Sequence, residues 1–310
     1  MLIFHDPQCA DYGSAMRPEQ PARLMRSAAH LHRLHPNWEQ RLPPPASCVA
    51  DAILLRAHTA AHLRRLSQPR DFDDDTPFFP DIATHARRAT SAALAATEHA
   101  FTHHTPAFAL MRPPGHHATA DTAMGFCYLN AVAVAALYAH SQLGARRVAI
   151  WDFDAHHGNG TEAILRAQLG SDPTGYFFAS VHQSPCYPGT GLVDQCSTLR
   201  NWPLPPRAPR AQHLAALRAS LDAIITYQPD LILVSAGFDA FVGDPITTMT
   251  LEIEDFAQLG TWLGETFRVH AIPSAGVLEG GYSFDLPVLI ETFLAAWSTA
   301  HASSLAPVPY

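Results

Sequence analysis

Positive charge and cysteine are both scarce in this chain, and each shortage removes a class of function. Lysine and arginine number 20 against 28 aspartates and glutamates, the formal net charge is -8, and 15% of the 310 residues are charged. No basic face emerges, so nucleic acid and anionic membranes are disfavoured as partners. The five cysteines (Cys9, Cys48, Cys127, Cys186, Cys196) form no C-x-x-C and are odd in number. That fits free, mostly buried thiols in a reducing compartment. The opening Met1-Leu2-Ile3-Phe4-His5-Asp6 lacks the basic start and apolar core of a signal peptide and reads as a first strand. No apolar stretch is long and uncharged enough to span a bilayer. A soluble, cytoplasmic protein is the expectation.

Several catalytic signatures are also missing. No P-loop lysine motif occurs, and Gly158-Asn159-Gly160 and Gly189-Thr190-Gly191 lack the third glycine of a dinucleotide-binding turn. There is no Gly-x-Ser-x-Gly elbow and no cysteine in a nucleophile's setting, so covalent catalysis is disfavoured. His58 and His62 stand four apart on an expected helix, but no glutamate follows the first as in a zincin. They read as packing or surface residues, and His103-His104 as surface.

What is present is an alternation of apolar β-rich runs with alanine-rich stretches, the pattern of a parallel sheet covered on both faces. Strands are expected at Ala107–Met111, Arg147–Asp152, Tyr176–His182, Leu231–Ser235 and Ser274–Leu278. Helices are expected at Ala83–Phe101, Asn130–Ser141, Gly160–Leu169, Ala211–Tyr227, Ile253–Val269 and Leu286–Ala300. The Pro-rich pieces Leu42–Pro45 and Trp202–Pro209 read as loops within one domain spanning 1–310.

Each inner strand runs into unusual chemistry, and ligands of open α/β sheets bind beyond the strands' carboxyl ends. The most telling case is Asp152-Phe153-Asp154-Ala155-His156. If the chain stays extended there, Asp152, Asp154 and His156 share a face, and carboxylates with an imidazole suit a divalent metal. Asp154 and His156 supply two ligands, and Asp239, after Gly237, is the best third. His116 and His117 follow a rigid Pro-Pro-Gly turn and suit general acid–base work. Asp152 and Asn159 are candidate partners for their rings, and the ring on the carboxylate should hold a proton more readily. Tyr282, after Gly280-Gly281, can swing a phenol over the pocket as a donor to an oxyanion.

Six motifs, in order, resemble the histone deacetylase superfamily: Arg-Pro-Pro-Gly-His-His (112–117), Gly-Phe-Cys-Tyr-Leu-Asn (125–130), Asp-Phe-Asp-Ala-His-His-Gly-Asn-Gly-Thr (152–161), Tyr-Pro-Gly-Thr-Gly (187–191), Ser-Ala-Gly-Phe-Asp-Ala (235–240) and Glu-Gly-Gly-Tyr (279–282). The resemblance is closest to the class II-like bacterial branch that includes acetylpolyamine amidohydrolases. It implies the arginase/deacetylase α/β fold, a mostly parallel sheet of about eight strands between helices. It implies zinc, or iron in its place, on Asp154, His156 and Asp239, with His117 as proton shuttle beside His116, and Tyr282 as oxyanion donor. Phe126 and Tyr187 fall where the family walls the acyl-lysine stem, Gly115 where a missing side chain lets the stem pass, and Asp75 where a loop aspartate holds the substrate backbone. Asp152, Ser180, Val181 and the Asp154 and His156 carbonyls match a structural potassium site, and Arg23 an arginine near the acetate exit. The chain departs from the family in its Tyr12–Pro21 opening, its compact Leu192–Asn201 segment, and His62 where relatives often carry tyrosine.

The implied activity is removal of acetyl or other acyl groups from lysine side chains of proteins or peptides. Acetylated polyamines are the rival substrate, and Ile246 after Asp244-Pro245, in place of an acidic gatekeeper, favours peptides. A non-catalytic acyl-lysine or metal-binding module is the alternative from another class.

Overall fold

The computed structural model describes residues 1–170 and 172–302. Its centre is one eight-stranded sheet in which every pair is parallel, ordered β2-β1-β3-β8-β7-β4-β5-β6. In chain order the strands are β1 (Leu2–Phe4), β2 (Glu39–Arg41), β3 (Ala107–Ala109), β4 (Val148–Asp152), β5 (Tyr176–Gln183), β6 (Leu199–Leu204), β7 (Leu231–Ala236) and β8 (Ser274–Leu278). Every residue of β4, β5, β7 and β8 is buried, as strands covered by helices on both faces must be.

The helices are α1 (Ala22–Leu34), α2 (Asp51–Leu54), α3 (Ala60–Arg65), α4 (Ile82–His103), α5 (Ala131–Tyr138), α6 (Asn159–Gln168), α7 (Arg210–Tyr227), α8 (Ile253–His270) and α9 (Leu286–Ala302). The Asn130 side chain caps α5 through the Ala133 N–H, and α8 opens with a Glu252/Asp255 capping box. Helix α5 runs on into a π-turn at Ala139–Leu143. No helix among the described residues is long and apolar enough to cross a membrane.

Three elements differ from expectation. Trp202–Leu204 is not loop but the end of β6; Pro203 is tolerated because β6 is an edge strand, whose outer side owes no ladder bond. The opposite edge, β2, is a three-residue polar strand with no apolar signal. Helix α1 buries Arg23, Leu24, Ser27 and Leu31, a stripe diluted by arginine and histidine along the rest of the helix. His58 lies between α2 and α3 rather than on a helix with His62, although both are buried packing residues as expected.

Because all eight strands are parallel, their carboxyl ends share one edge. The segments following β3, β4, β5, β7 and β8 therefore meet there.

Candidate active site

Strand β4 stops at Asp152, and the chain beyond it is not extended. The Asp154 N–H donates to Asp152 Oδ1 (3.2 Å) and the His156 N–H to Asp154 Oδ1 (2.9 Å), two successive side-chain turns that curl the segment. The curl separates the roles of the three residues. Asp152 turns to the tandem histidines, whereas Asp154 and His156 face Asp239 from the end of β7.

Asp154, His156 and Asp239 are buried, and their ligand-type atoms lie within 4.8 Å of one another. His156 Nδ1 is 3.2 Å from Asp154 Oδ1 and 2.9 Å from Asp239 Oδ2. The remaining oxygens are held by backbone donors: Ala155 N–H to Asp239 Oδ1 (2.7 Å) and Gly280 N–H to Asp154 Oδ2 (2.7 Å). Glycines make the room. A Cβ at Gly237 would stand 2.1 Å from Asp154 Oδ2, and one at Gly280 2.3 Å from Asp239 Oδ2.

The electrostatics of this trio call for a cation. Burial opposes the charge on Asp239, and the neighbouring Asp154 charge pushes its carboxyl up further. Burial opposes a proton on His156 too, yet Asp239 and Asp154 raise its proton affinity well above the ordinary value. No guanidinium pairs with either aspartate among the described residues. The two buried carboxylates share the His156 imidazole, with His116 Nε2 3.8 Å from Asp154 Oδ1, and an oxygen–nitrogen–oxygen donor set fits a divalent metal such as Zn2+ or Fe2+.

The tandem histidines sit beside this trio with tilted rings 4.1 Å apart. His116 Nδ1 contacts Asp152 Oδ2 (3.1 Å) and His117 Nδ1 contacts Asn159 Oδ1 (2.8 Å), so both candidate partners are engaged. Burial disfavours the His116 imidazolium, but Asp154 and Asp152 outweigh it and hold its pKa above the ordinary value. His117 shifts the other way, driven down by burial and then by the positive charge of His116 and His156. With its Nδ1–H donated to the Asn159 amide oxygen, neutral His117 keeps its Nε2 lone pair free to take a proton.

A cavity of about 240 Å³ opens over these groups, lined by Pro18, Asp75, His117, Gly125, Phe126, His156, Cys186, Tyr187, Ile246 and Tyr282. Phe126 meets the Tyr282 ring edge-on at 5.7 Å, and Tyr187 meets His117 edge-on at 5.2 Å. Gly115 does not line it. A Cβ at Gly115 would strike the Leu129 carbonyl oxygen and the Ala131 nitrogen, both at 2.8 Å, so its missing side chain serves backbone packing. The glycine at the cavity is Gly125, at φ +57°, where a Cβ would stand 2.5 Å from the His117 ring.

Tyr282 is clamped rather than free to swing. Gly281 turns the chain at φ +109°, the Tyr282 N–H donates to Asp244 Oδ2 (2.8 Å), and the Arg23 guanidinium lies 4.8 Å from the ring centre. The other Asp244 oxygen accepts from the Ile246 N–H (3.0 Å). Burial raises the Tyr282 phenol well above its usual pKa, so it keeps its proton and can donate it. Arg23 donates to the carbonyls of Gly281 (2.7 Å) and Glu279, and lines a second cavity of about 230 Å³ that shares Tyr282. Asp152 and Ser180 are register neighbours on β4 and β5, with Val181 next along the strand.

Other residues brace the site in ways the sequence did not show, although Arg112 and Asn130 stand in the quoted motifs. A buried two-pronged Arg112–Glu19 pair, joined by Arg23 and Tyr12, braces the Pro-Pro-Gly-His-His segment. Burial opposes the Glu19 charge, but Arg112 and Arg23 hold its carboxyl below the ordinary range. Asn130 donates to the carbonyls of His116 (3.4 Å) and Ala118 (3.1 Å) while capping α5. Its own N–H goes to His58 Nε2 (2.9 Å).

Comparison with known proteins shows the family. The Histone deacetylase domain family matches residues 17–297. A probable deacetylase of Methanothermobacter thermautotrophicus is 34% identical over 298 residues, 91% of this chain and 86% of that protein. A histone deacetylase-like amidohydrolase of Pseudomonas aeruginosa is 34% identical over 286 residues, 87% of this chain and 73% of that one. The solved acetylpolyamine aminohydrolase of Burkholderia pseudomallei superposes with a TM-score of 0.85 at 25% identity, over 97% of this chain and 99% of that chain. With this fold and these relatives, the chain belongs to the histone deacetylase family of amidohydrolases.

Proposed function

We propose that the protein is a metal-dependent deacylase acting on acetylated lysine side chains of proteins or peptides. The observation that carries this reading is the meeting of Asp154, His156 and Asp239 with the tandem histidines and Tyr282 around one cavity. Asp154, His156 and Asp239 would hold the metal, zinc or iron. Bound there, it supplies Lewis acidity to the acyl carbonyl and to the attacking water.

The chain's own groups do the rest. Phe126 and Tyr187 flank the apolar stem of the acyl-lysine, and Asp75 at the mouth accepts from the substrate's backbone amide. His117 Nε2 takes a proton from the attacking water as its oxygen bonds to the acyl carbon. Tyr282 donates its hydroxyl to the carbonyl oxygen as negative charge gathers there. The C–N bond then breaks, and the histidine pair delivers the proton to the departing nitrogen. Asp152, 3.1 Å from His116 Nδ1, orients that ring beside His117. Asp152, Ser180, Val181 and the Asp154 and His156 carbonyls would hold a structural potassium ion. Residues 1–310 act as one catalytic domain, and the five free cysteines suit a reducing, cytoplasmic setting.

The test is acetate release from acetyl-lysine peptides by purified enzyme, before and after metal removal by a chelator. Turnover should vanish on chelation and return with Zn2+ or Fe2+; turnover that survives complete metal removal would sink the reading. A second reading, acetylpolyamine hydrolysis, is favoured by the likeness to the Burkholderia enzyme. Ile246 at the mouth argues for peptides. Rates on acetylputrescine and acetylspermidine, set beside those on peptides, separate the two.

A further inference from the structure

We propose that Glu279 is a positioning residue for the tandem histidines, its buried carboxylate fixing the backbone from which both imidazoles project. The inference rests on the proposed role of His117 as the proton acceptor, and it concerns a residue to which that reaction gives no part.

Glu279 follows β8 and is 1% exposed. One carboxylate oxygen, Oε2, accepts from the N–H of Gly115 (2.6 Å) and the N–H of His116 (3.1 Å). Oε1 faces the Ser235 hydroxyl at 3.5 Å. Arg23 bonds to the Glu279 carbonyl and not to its carboxylate, and the carboxylate makes no ion pair among the described residues. Burying a carboxylate is costly, and the charge-assisted bonds from these two N–H groups offset that cost.

The two sides of the histidine backbone differ in redundancy. The His116 carbonyl accepts from the Thr161 N–H (3.1 Å), the Asn130 amide (3.4 Å) and the Thr161 hydroxyl (3.5 Å). Loss of any one leaves two. The N–H groups of Gly115 and His116 have Glu279 alone among the described residues, so its removal orphans two buried donors together.

The same short segment touches the rest of the site. The Gly280 N–H binds Asp154, Arg23 binds the carbonyls on either side of Gly280, and Tyr282 follows. Glu279 therefore ties the segment carrying the proton acceptor to the segment carrying the oxyanion donor, and sets their separation. Displacement of a reacting group by about 1 Å can cost on the order of a hundredfold in rate.

The experiment compares Glu279→Gln with Glu279→Ala. It measures kcat and KM on an acetyl-lysine peptide, metal content, and amide hydrogen exchange across residues 113–118. The glutamine oxygen can accept both N–H groups, so E279Q should keep kcat within about tenfold and retain amide protection. E279A should lose roughly a hundredfold or more in kcat, with little change in KM or metal stoichiometry and much faster exchange at Gly115 and His116. Unchanged kcat or protection in E279A would overturn the proposal, as would equal impairment of the two variants or loss of metal from either. Should E279A fail to fold, a folded, metal-loaded E279Q that has lost a hundredfold would also overturn it. The exchange readout needs no turnover. If the wild-type enzyme cleaves no acylated amine, the function falls and the role of Glu279 is still decided.

Discussion

At the scale of single residues, Tyr282 and Gly125 bear the sharpest consequences. The buried phenol keeps its proton and has an edge-on aromatic neighbour in Phe126. Tyr282→Phe preserves that packing and removes the hydroxyl alone. Losing one oxyanion donor costs roughly a hundred- to thousandfold, so kcat should fall by that much while metal content stays constant. Gly125→Ala adds one methyl 2.5 Å from the His117 ring and 2.9 Å from Tyr187, at a backbone angle alanine resists. Steady-state kinetics should show it losing kcat/KM by at least tenfold. The meeting of Asp154, His156 and Asp239 was legible because the carboxylates and imidazole sit next to apolar strand ends. Glycine roles were not, because a missing side chain does not say which neighbour needs the space; hence the exchange of Gly115 for Gly125. The role of Glu279, a residue of the Glu-Gly-Gly-Tyr motif, was hidden for a related reason: its partners are backbone N–H groups, which every sequence has.

At the scale of elements, legibility followed burial. The inner strands β4, β5, β7 and β8 are apolar runs that need no context, and six helices fell within three residues of their expected ends. The edges β2 and β6 and the helix α1 were lost, since one open side relaxes the demand for apolar residues. Helices α8 and α9 pack through Gly260, where a Cβ would lie 2.2 Å from the Phe293 carbonyl. Alanine in a helix interior ordinarily gains about 1 kcal/mol over glycine, but overpacking costs about 1–3 kcal/mol. Gly260→Ala should therefore lower the thermal midpoint by several degrees, as calorimetry would show. A rise would mean that the two helices separate freely.

At the scale of the whole molecule, buried neutral histidines cost the fold stability in acid. His58 donates from Nδ1 to the Thr119 carbonyl and accepts the Asn130 N–H at Nε2, so a second ring proton would face a donor. Burial, then His62, lowers its pKa to about 3. Burial lowers that of His213 to about 4, partly offset by Asp255, and neither of its ring nitrogens has a hydrogen-bond partner. The unfolded chain takes up these protons near pH 6.5, the folded one far lower, so stability falls as pH drops through that interval. Each ring contributes a loss of about 1.4 kcal/mol per pH unit there. Denaturant midpoints at pH 7 and 5 should show the decline, and His213→Leu should flatten it by one proton's worth. An unaltered slope would deny that His213 is neutral in the fold. The chain also has no lysine, all twenty basic residues being arginine, so it offers no side-chain amine that could be acylated and then compete as substrate.

One carboxylate described above has a wider reach. Asp244 grips the amides of Tyr282 and Ile246 with its two oxygens. Rim and phenol are thus riveted together. A substrate too broad for the entrance would drag the hydroxyl off its mark as it forced its way in. Oversized guests would still be held, and turned over slowly, so selection by girth would appear in the rate of cleavage before it appeared in binding.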